Sequence, residues 1–183
     1  MADKSLAEGV RRFAAKMDIG AYQESAKIKS DYGLPNDMLT DAVSRAYDSN
    51  MKKGEYSIAA ELAKKYDLSA ELRLDAAQKS FRRKIDSDSY RAAADYAKEY
   101  GLPEDMILNA AISAFNKSMD YSLFKNAAEI ADQFELPLEM KQQAATKSYE
   151  QHMKSGLYRK AYKIAQKYEL PKELIEAAEK KIS

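Results

Sequence analysis

The string aromatic-x-Leu recurs at Tyr32–Leu34, Tyr66–Leu68, Tyr100–Leu102, Phe134–Leu136 and Tyr168–Leu170, at a constant step of 34 residues without insertion. Other columns keep the same step: Tyr22, Tyr56, Tyr90, Phe124 and Tyr158; Phe13, Tyr47, Phe81, Phe115 and Tyr149; Met17, Met51, Ile85, Met119 and Met153. A period of this length constrains the fold more than any local propensity does. One such repeat is a supersecondary unit that cannot bury its apolar face alone and has to stack on its neighbours.

Each repeat reads as two helices. In the shorter, Tyr56, Ala59, Ala60, Leu62, Ala63 and Tyr66 fall on one face of a 3.6-residue helix, with Ser57, Glu61, Lys64 and Lys65 opposite. The longer starts near Pro103 and runs to about Met119, with proline in the first turn, where its missing N–H costs nothing. Acidic Asp37, Glu71, Asp105, Glu139 and Glu173 follow two residues after the proline column, near the positive helix end. Turns are expected at Gly20, Gly33, Gly54, Asp67, Asp88, Gly101, Ser122, Glu135, Gly156 and Glu169. The expected fold is therefore all-α: a right-handed-type α-solenoid of stacked two-helix repeats, about eleven helices in one domain over 1–183. It has an opening helix at 1–19, full repeats at 20–53, 54–87, 88–121 and 122–155, and a final helix pair at 156–183. Glu8 and Glu179 stand where internal repeats carry Ala or Val, a polar ending that reads as capping of a nearly complete array.

Composition narrows the function classes. With 30 basic and 29 acidic residues the net charge is +1, so there is no general attraction to nucleic acid or anionic membrane. Cysteine is absent and His152 is the only histidine, leaving neither a thiolate nucleophile nor a histidine metal cluster. No long apolar run suggests a signal peptide or membrane span, and no glycine loop suits a phosphate. No enzyme activity, metal or cofactor is expected, and the expected location is the cytoplasm.

The runs Gly54-Glu55-Tyr56-x-x-Ala59 and Gly156-Leu157-Tyr158-x-x-Ala161, with the period, resemble tetratricopeptide-type solenoids. The chain lacks the tryptophan of that family's first helix, and Leu102-Pro103 sits earlier than the family's proline. The resemblance implies a tetratricopeptide-like fold that binds partners on a concave surface.

A longer period overlies the first. Tyr32-Gly33-Leu34-Pro35 matches Tyr100-Gly101-Leu102-Pro103, whereas Ala76-Ala77-Gln78-Lys79-Ser80-Phe81 matches Ala144-Ala145-Thr146-Lys147-Ser148-Tyr149, giving a 68-residue super-repeat. The aromatic columns mix Tyr with Phe and read as core. The basic run Arg82-Arg83-Lys84, with Arg91 nearby, reads as an exposed helix end. On the long helices a stripe at i, i+4, i+7 and i+11 reads Leu39-Val43-Ala46-Asn50, Arg73-Ala77-Ser80-Lys84, Ile107-Ala111-Ala114-Ser118 and Lys141-Ala145-Ser148-His152. It is either a tight helix contact or the floor of a groove. As a groove its partner-binding residues are Leu39, Arg73, Ser80, Lys84, Ile107, Lys141, Ser148 and His152, with the basic side chains catching the carboxylates or phosphates of an extended acidic peptide. The expected function is a protein–protein interaction scaffold or adaptor. The alternative is a nucleic-acid-binding helical repeat, which needs one polar reader per repeat on a basic surface.

Overall fold

The computed structural model describes residues 6–182; residues 1–5 of the expected opening helix and Ser183 of the final pair lie outside the described residues. Eleven α-helices and no strand are found among the described residues. In order they are α1 (Leu6–Asp18), α2 (Tyr22–Tyr32), α3 (Asn36–Lys53), α4 (Tyr56–Lys65), α5 (Ala70–Asp86), α6 (Tyr90–Tyr100), α7 (Glu104–Asp120), α8 (Phe124–Gln133), α9 (Leu138–Lys154), α10 (Tyr158–Lys167) and α11 (Lys172–Ile182). The short helices begin on one aromatic column: Tyr22, Tyr56, Tyr90, Phe124 and Tyr158. From α1 to α4 and from α6 to α11, successive helices pack on one another, as stacked two-helix repeats require.

The turns explain the strict period. The ten expected turn residues are the ten that hold positive φ among the described residues, five glycines and five others. Each stops a helix in the left-handed conformation, and the next N–H closes back across the last turn. Leu102 N–H donates to the Ala97 carbonyl at 2.9 Å, Leu136 to Ala131 at 2.9 Å and Leu170 to Ala165 at 2.9 Å. Between long and short helices, Glu55 donates likewise to Asn50 at 2.8 Å and Leu157 to His152 at 2.8 Å. Leu34, Leu102, Leu136 and Leu170 are buried by the same motif.

Proline differs by one residue from the first-turn position expected. Pro35, Pro103 and Pro137 are N-caps with ψ of 148°, 141° and 141°, just outside the helix. Proline keeps the preceding leucine out of the helical region, so the Leu-Pro pair forms the break. In α5 the equivalent residue is Ser69, whose hydroxyl accepts the Leu72 N–H at 3.3 Å and caps the helix directly.

Contacts divide the chain into a first unit that ends at Ser80 and a second that begins at Phe81, the boundary falling within α5. The first buries Phe13, Ala26, Leu34, Ala42 and Val43, with Met17, Tyr32, Leu39 and Tyr66 among the residues packed on them. The second is layered with alanine: Ala93, Ala94, Ala127, Ala128, Ala144 and Ala145 are wholly buried. Such small side chains let helix axes approach closely.

The aromatic columns are not equivalent. Phe13, Tyr47, Phe81, Phe115 and Tyr149 are all buried core. Tyr22, Tyr56, Tyr90, Phe124 and Tyr158, expected in the core, are all half-buried. They stand at the first residue of each short helix, whereas the buried column lies inside the long helices.

Candidate binding groove

In the first unit a groove of about 680 Å³ runs between the two short helices α2 and α4. Gln23, Lys27 and Ser30 project from one face of α2 at spacings of four and three residues. Ile58, Glu61, Leu62 and Lys65 form the facing stripe of α4, and Tyr66 closes the end. Ile58 is 40% exposed and Leu62 8%, so the groove has an aliphatic wall open to solvent over a buried floor. Neither Lys27 nor Lys65 has an acidic partner within 4.0 Å among the described residues. The Lys65 ammonium lies 5.3 Å from the centre of the Tyr66 ring.

The same place in the second unit is bridged by side chains, and a smaller cleft of about 130 Å³ remains beside Lys98, Gln133 and Phe134. Adding 68 to Gln23, Lys27, Ile58 and Lys65 gives Arg91, Asp95, Asn126 and Gln133. Arg91 donates Nη1 to Asn126 Oδ1 at 2.7 Å and Nη2 to Gln133 Oε1 at 3.0 Å. Gln133 Nε2 in turn donates to Asp95 Oδ1 at 2.5 Å. This polar clasp ties α6 to α8, whereas no hydrogen bond or ion pair joins the four equivalent residues of the first unit among the described residues. An aliphatic side chain and two like charges cannot bridge, so the helices leave a channel.

A smaller cleft recurs in register where each of α2 and α6 begins. In the second unit it measures about 260 Å³, with Asp88–Ala92, Ala114, Lys117, Ser118, Tyr121, Leu123 and Asn126 in its lining. In the first it measures about 230 Å³, and each lining residue stands 68 positions earlier, from Gly20–Glu24 to Ile58. Lys117 donates to the Asp88 carbonyl at 2.9 Å and sits 5.5 Å from the Tyr90 ring centre. The Tyr90 hydroxyl donates to Asp88 Oδ1 at 2.5 Å, and that bond to a carboxylate, then desolvation, pushes the phenol up from its ordinary value. Ile58 lines both the small cleft and the long groove of the first unit, as the ridge between them.

The stripe residues of the long helices are placed mainly inside the packing. Leu39 packs on the first unit's core. Ser80 is buried, and its hydroxyl lies 2.6 Å from that of Ser57. Arg73 is half-buried in the first unit. In the second, the Lys84 ammonium sits 4.9 Å from the Tyr96 ring centre. Ile107 lines a cleft of about 130 Å³ with Lys98, Gln133 and Phe134. Lys141 and Lys167 each approach Asp132 at 3.3 Å. Desolvation pushes the Asp132 carboxyl up, but hydrogen bonds from the two ammoniums outweigh it and hold the group below its ordinary value. Ser148 is wholly buried with no hydrogen-bond partner for its hydroxyl, and His152 Nδ1 lies 2.7 Å from the Ser148 carbonyl. Ser148 and His152 are thus brought together, and Lys141 joins an ion-pair network.

The groove residues Gln23, Lys27, Ile58 and Lys65 were not marked by the sequence stripe. Their signal lies in a column of the short helix that keeps no residue type: Glu24, Ile58, Ala92, Asn126 and Lys160. Among the described residues no three His, Asp or Glu side chains gather as a metal site would, and no helix is long and apolar enough to cross a membrane. No protein-family model, curated protein or solved structure matches the chain at a significant level.

Proposed function

We propose that the chain is a protein-interaction module that holds a segment of its partner in the α2–α4 groove of the first unit. One observation carries this reading: the two units share one architecture, yet the side chains that bridge the short helices in the second, beside a cleft of about 130 Å³, are replaced in the first by residues that do not bridge and border a groove of about 680 Å³. A groove with an exposed aliphatic wall and polar rims suits an extended or helical segment inserting apolar anchors. The resemblance to tetratricopeptide-type solenoids points the same way.

Selection of peptides from a displayed library against the full chain tests the proposal. Enriched peptides are expected to lose binding to Ile58→Asp and to keep it for Leu157→Asp, a change at an exposed apolar residue of the second unit. Enriched peptides that ignore Ile58→Asp would overturn it. A salt-dependent gel shift with RNA or DNA that Ile58→Asp leaves intact and Lys27→Glu abolishes would support the nucleic-acid alternative instead.

A further inference from the structure

Resting on that reading of the groove, we infer that its occupant is an acidic peptide segment that sets an aliphatic side chain between carboxylates. The wall is aliphatic, because Ile58 is 40% exposed above Leu62. The rims are cationic: Lys27 on α2 and Lys65 on α4 border the same channel without acidic partners within 4.0 Å among the described residues. Among the described residues Glu61 is the one carboxylate in the lining, so two ammoniums against it give that lining a net positive charge. The 68-residue comparison sharpens the point, since Asp95 holds the position of Lys27 and Gln133 that of Lys65. The substitutions that open the channel also make it basic, and both changes serve one kind of ligand.

Single-stranded nucleic acid fits less well. Its bases need exposed aromatic faces on which to stack. Among the described residues Tyr66 is the only ring in the lining, and the Lys65 ammonium already sits near it.

The experiment uses the full chain and three fluorescently labelled peptides of equal length, in which Leu alternates with Glu, Gln or Lys. Affinities are read by anisotropy at low and at physiological salt. The Glu peptide is expected to bind about tenfold tighter than the Gln peptide at low salt, the scale of two partly exposed ion pairs. The Lys peptide should bind weakest, and Lys27→Glu with Lys65→Glu should reverse the order. A graft of the second unit's clasp, Gln23→Arg with Lys27→Asp, Ile58→Asn and Lys65→Gln, should close the groove and abolish binding while the helical spectrum and melting temperature are kept. Equal binding of the three peptides, lost in Ile58→Asp, would overturn the acidic occupant and leave the groove as a docking site. Binding that survives both Ile58→Asp and the graft, or no binding by any peptide, would overturn the acidic occupant and the groove together. Displacement of the Glu peptide by polyuridylate, at a concentration where polyglutamate does not displace it, would replace the peptide with nucleic acid.

Discussion

At the scale of single residues, two serines test how the long helices pack. Ser80 and Ser148 occupy one column with Ala46 and Ala114, and all four are buried. Ser80 meets the Ser57 hydroxyl at 2.6 Å. The residue 68 positions after Ser57 is Lys125, whose ammonium turns to Glu129 at 3.6 Å, and the Ser148 hydroxyl is left without a partner. A buried polar group without a hydrogen bond costs roughly 1–3 kcal/mol, while a made bond contributes about 0.5–1.5. Serine-to-alanine also raises helix propensity, but equally at both sites. Ser148→Ala should therefore leave the protein more stable than Ser80→Ala does, by roughly 1.5–4.5 kcal/mol in urea denaturation; equal effects would mean that the Ser148 hydroxyl is satisfied in solution. A tyrosine gives a pH test in the same unit as Ser80. Tyr47 donates its hydroxyl to the Leu72 carbonyl at 2.8 Å. Burial first, then Asp75 and Asp48, push its pKa up to about 12. An unfolded tyrosine ionises near pH 10, so the stability that this proton contributes is whole below about pH 10 and is lost as pH rises towards about 12. Tyr47→Phe should flatten the fall in stability over that window, measured by urea melts in steps of pH.

At the scale of the helix and its ends, glycines act for opposite reasons. Gly101 ends α6 with φ of 65°, and a Cβ there would meet nothing within 4 Å. Only the backbone conformation favours glycine at that site, so Gly101→Ala should cost about 1 kcal/mol. Gly9 lies inside α1, where alanine would ordinarily gain up to about 1 kcal/mol. Its added Cβ would stand 2.6 Å from Tyr32 Cβ on α2, an atom too near the backbone to swing aside. Overpacking of that kind costs roughly 1–3 kcal/mol, so Gly9→Ala should lower the melting temperature despite its helix propensity. The turns were legible in the sequence because the period located them even where Asp67, Ser122 and Glu135 stand in place of glycine. The burial of the aromatics was legible only in part. Periodicity puts Tyr47 and Tyr56 alike on an apolar face, but it does not tell a buried ring within a helix from a half-buried one at a helix start.

At the scale of the whole molecule, the super-repeat was readable as a pattern and its consequence was not. Alternation along the long helices pointed to Arg73 and Lys141, whereas the difference between the units that opens a groove resides in the short helices. Opening depends on four side chains acting together across two helices, and no single column reveals that Arg91 reaches both Asn126 and Gln133. The same difference predicts an uneven distribution of stability. Helix α4 buries Ala59, Ala60, Leu62 and Ala63, and α8 buries Ala127, Ala128, Ile130 and Ala131 in the same register, so their apolar packing is nearly matched. Beside the ion pairs of Asp132 with Lys141 and Lys167, α8 is distinguished by the clasp that holds it to α6, which among the described residues has no counterpart between α2 and α4. Local opening follows the interactions that each segment must break. At a net worth of about 0.5–1.5 kcal/mol per hydrogen bond, the clasp should slow the slowest amides of α8 relative to those of α4 by about tenfold or more in native-state hydrogen exchange. Arg91→Gln with Asp95→Lys introduces the first unit's residues and should bring α8 exchange to within a fewfold of α4, with α10 unchanged as the internal reference. If α8 keeps its protection in that double variant, the clasp is not what closes the second unit, and the open groove of the first needs another cause.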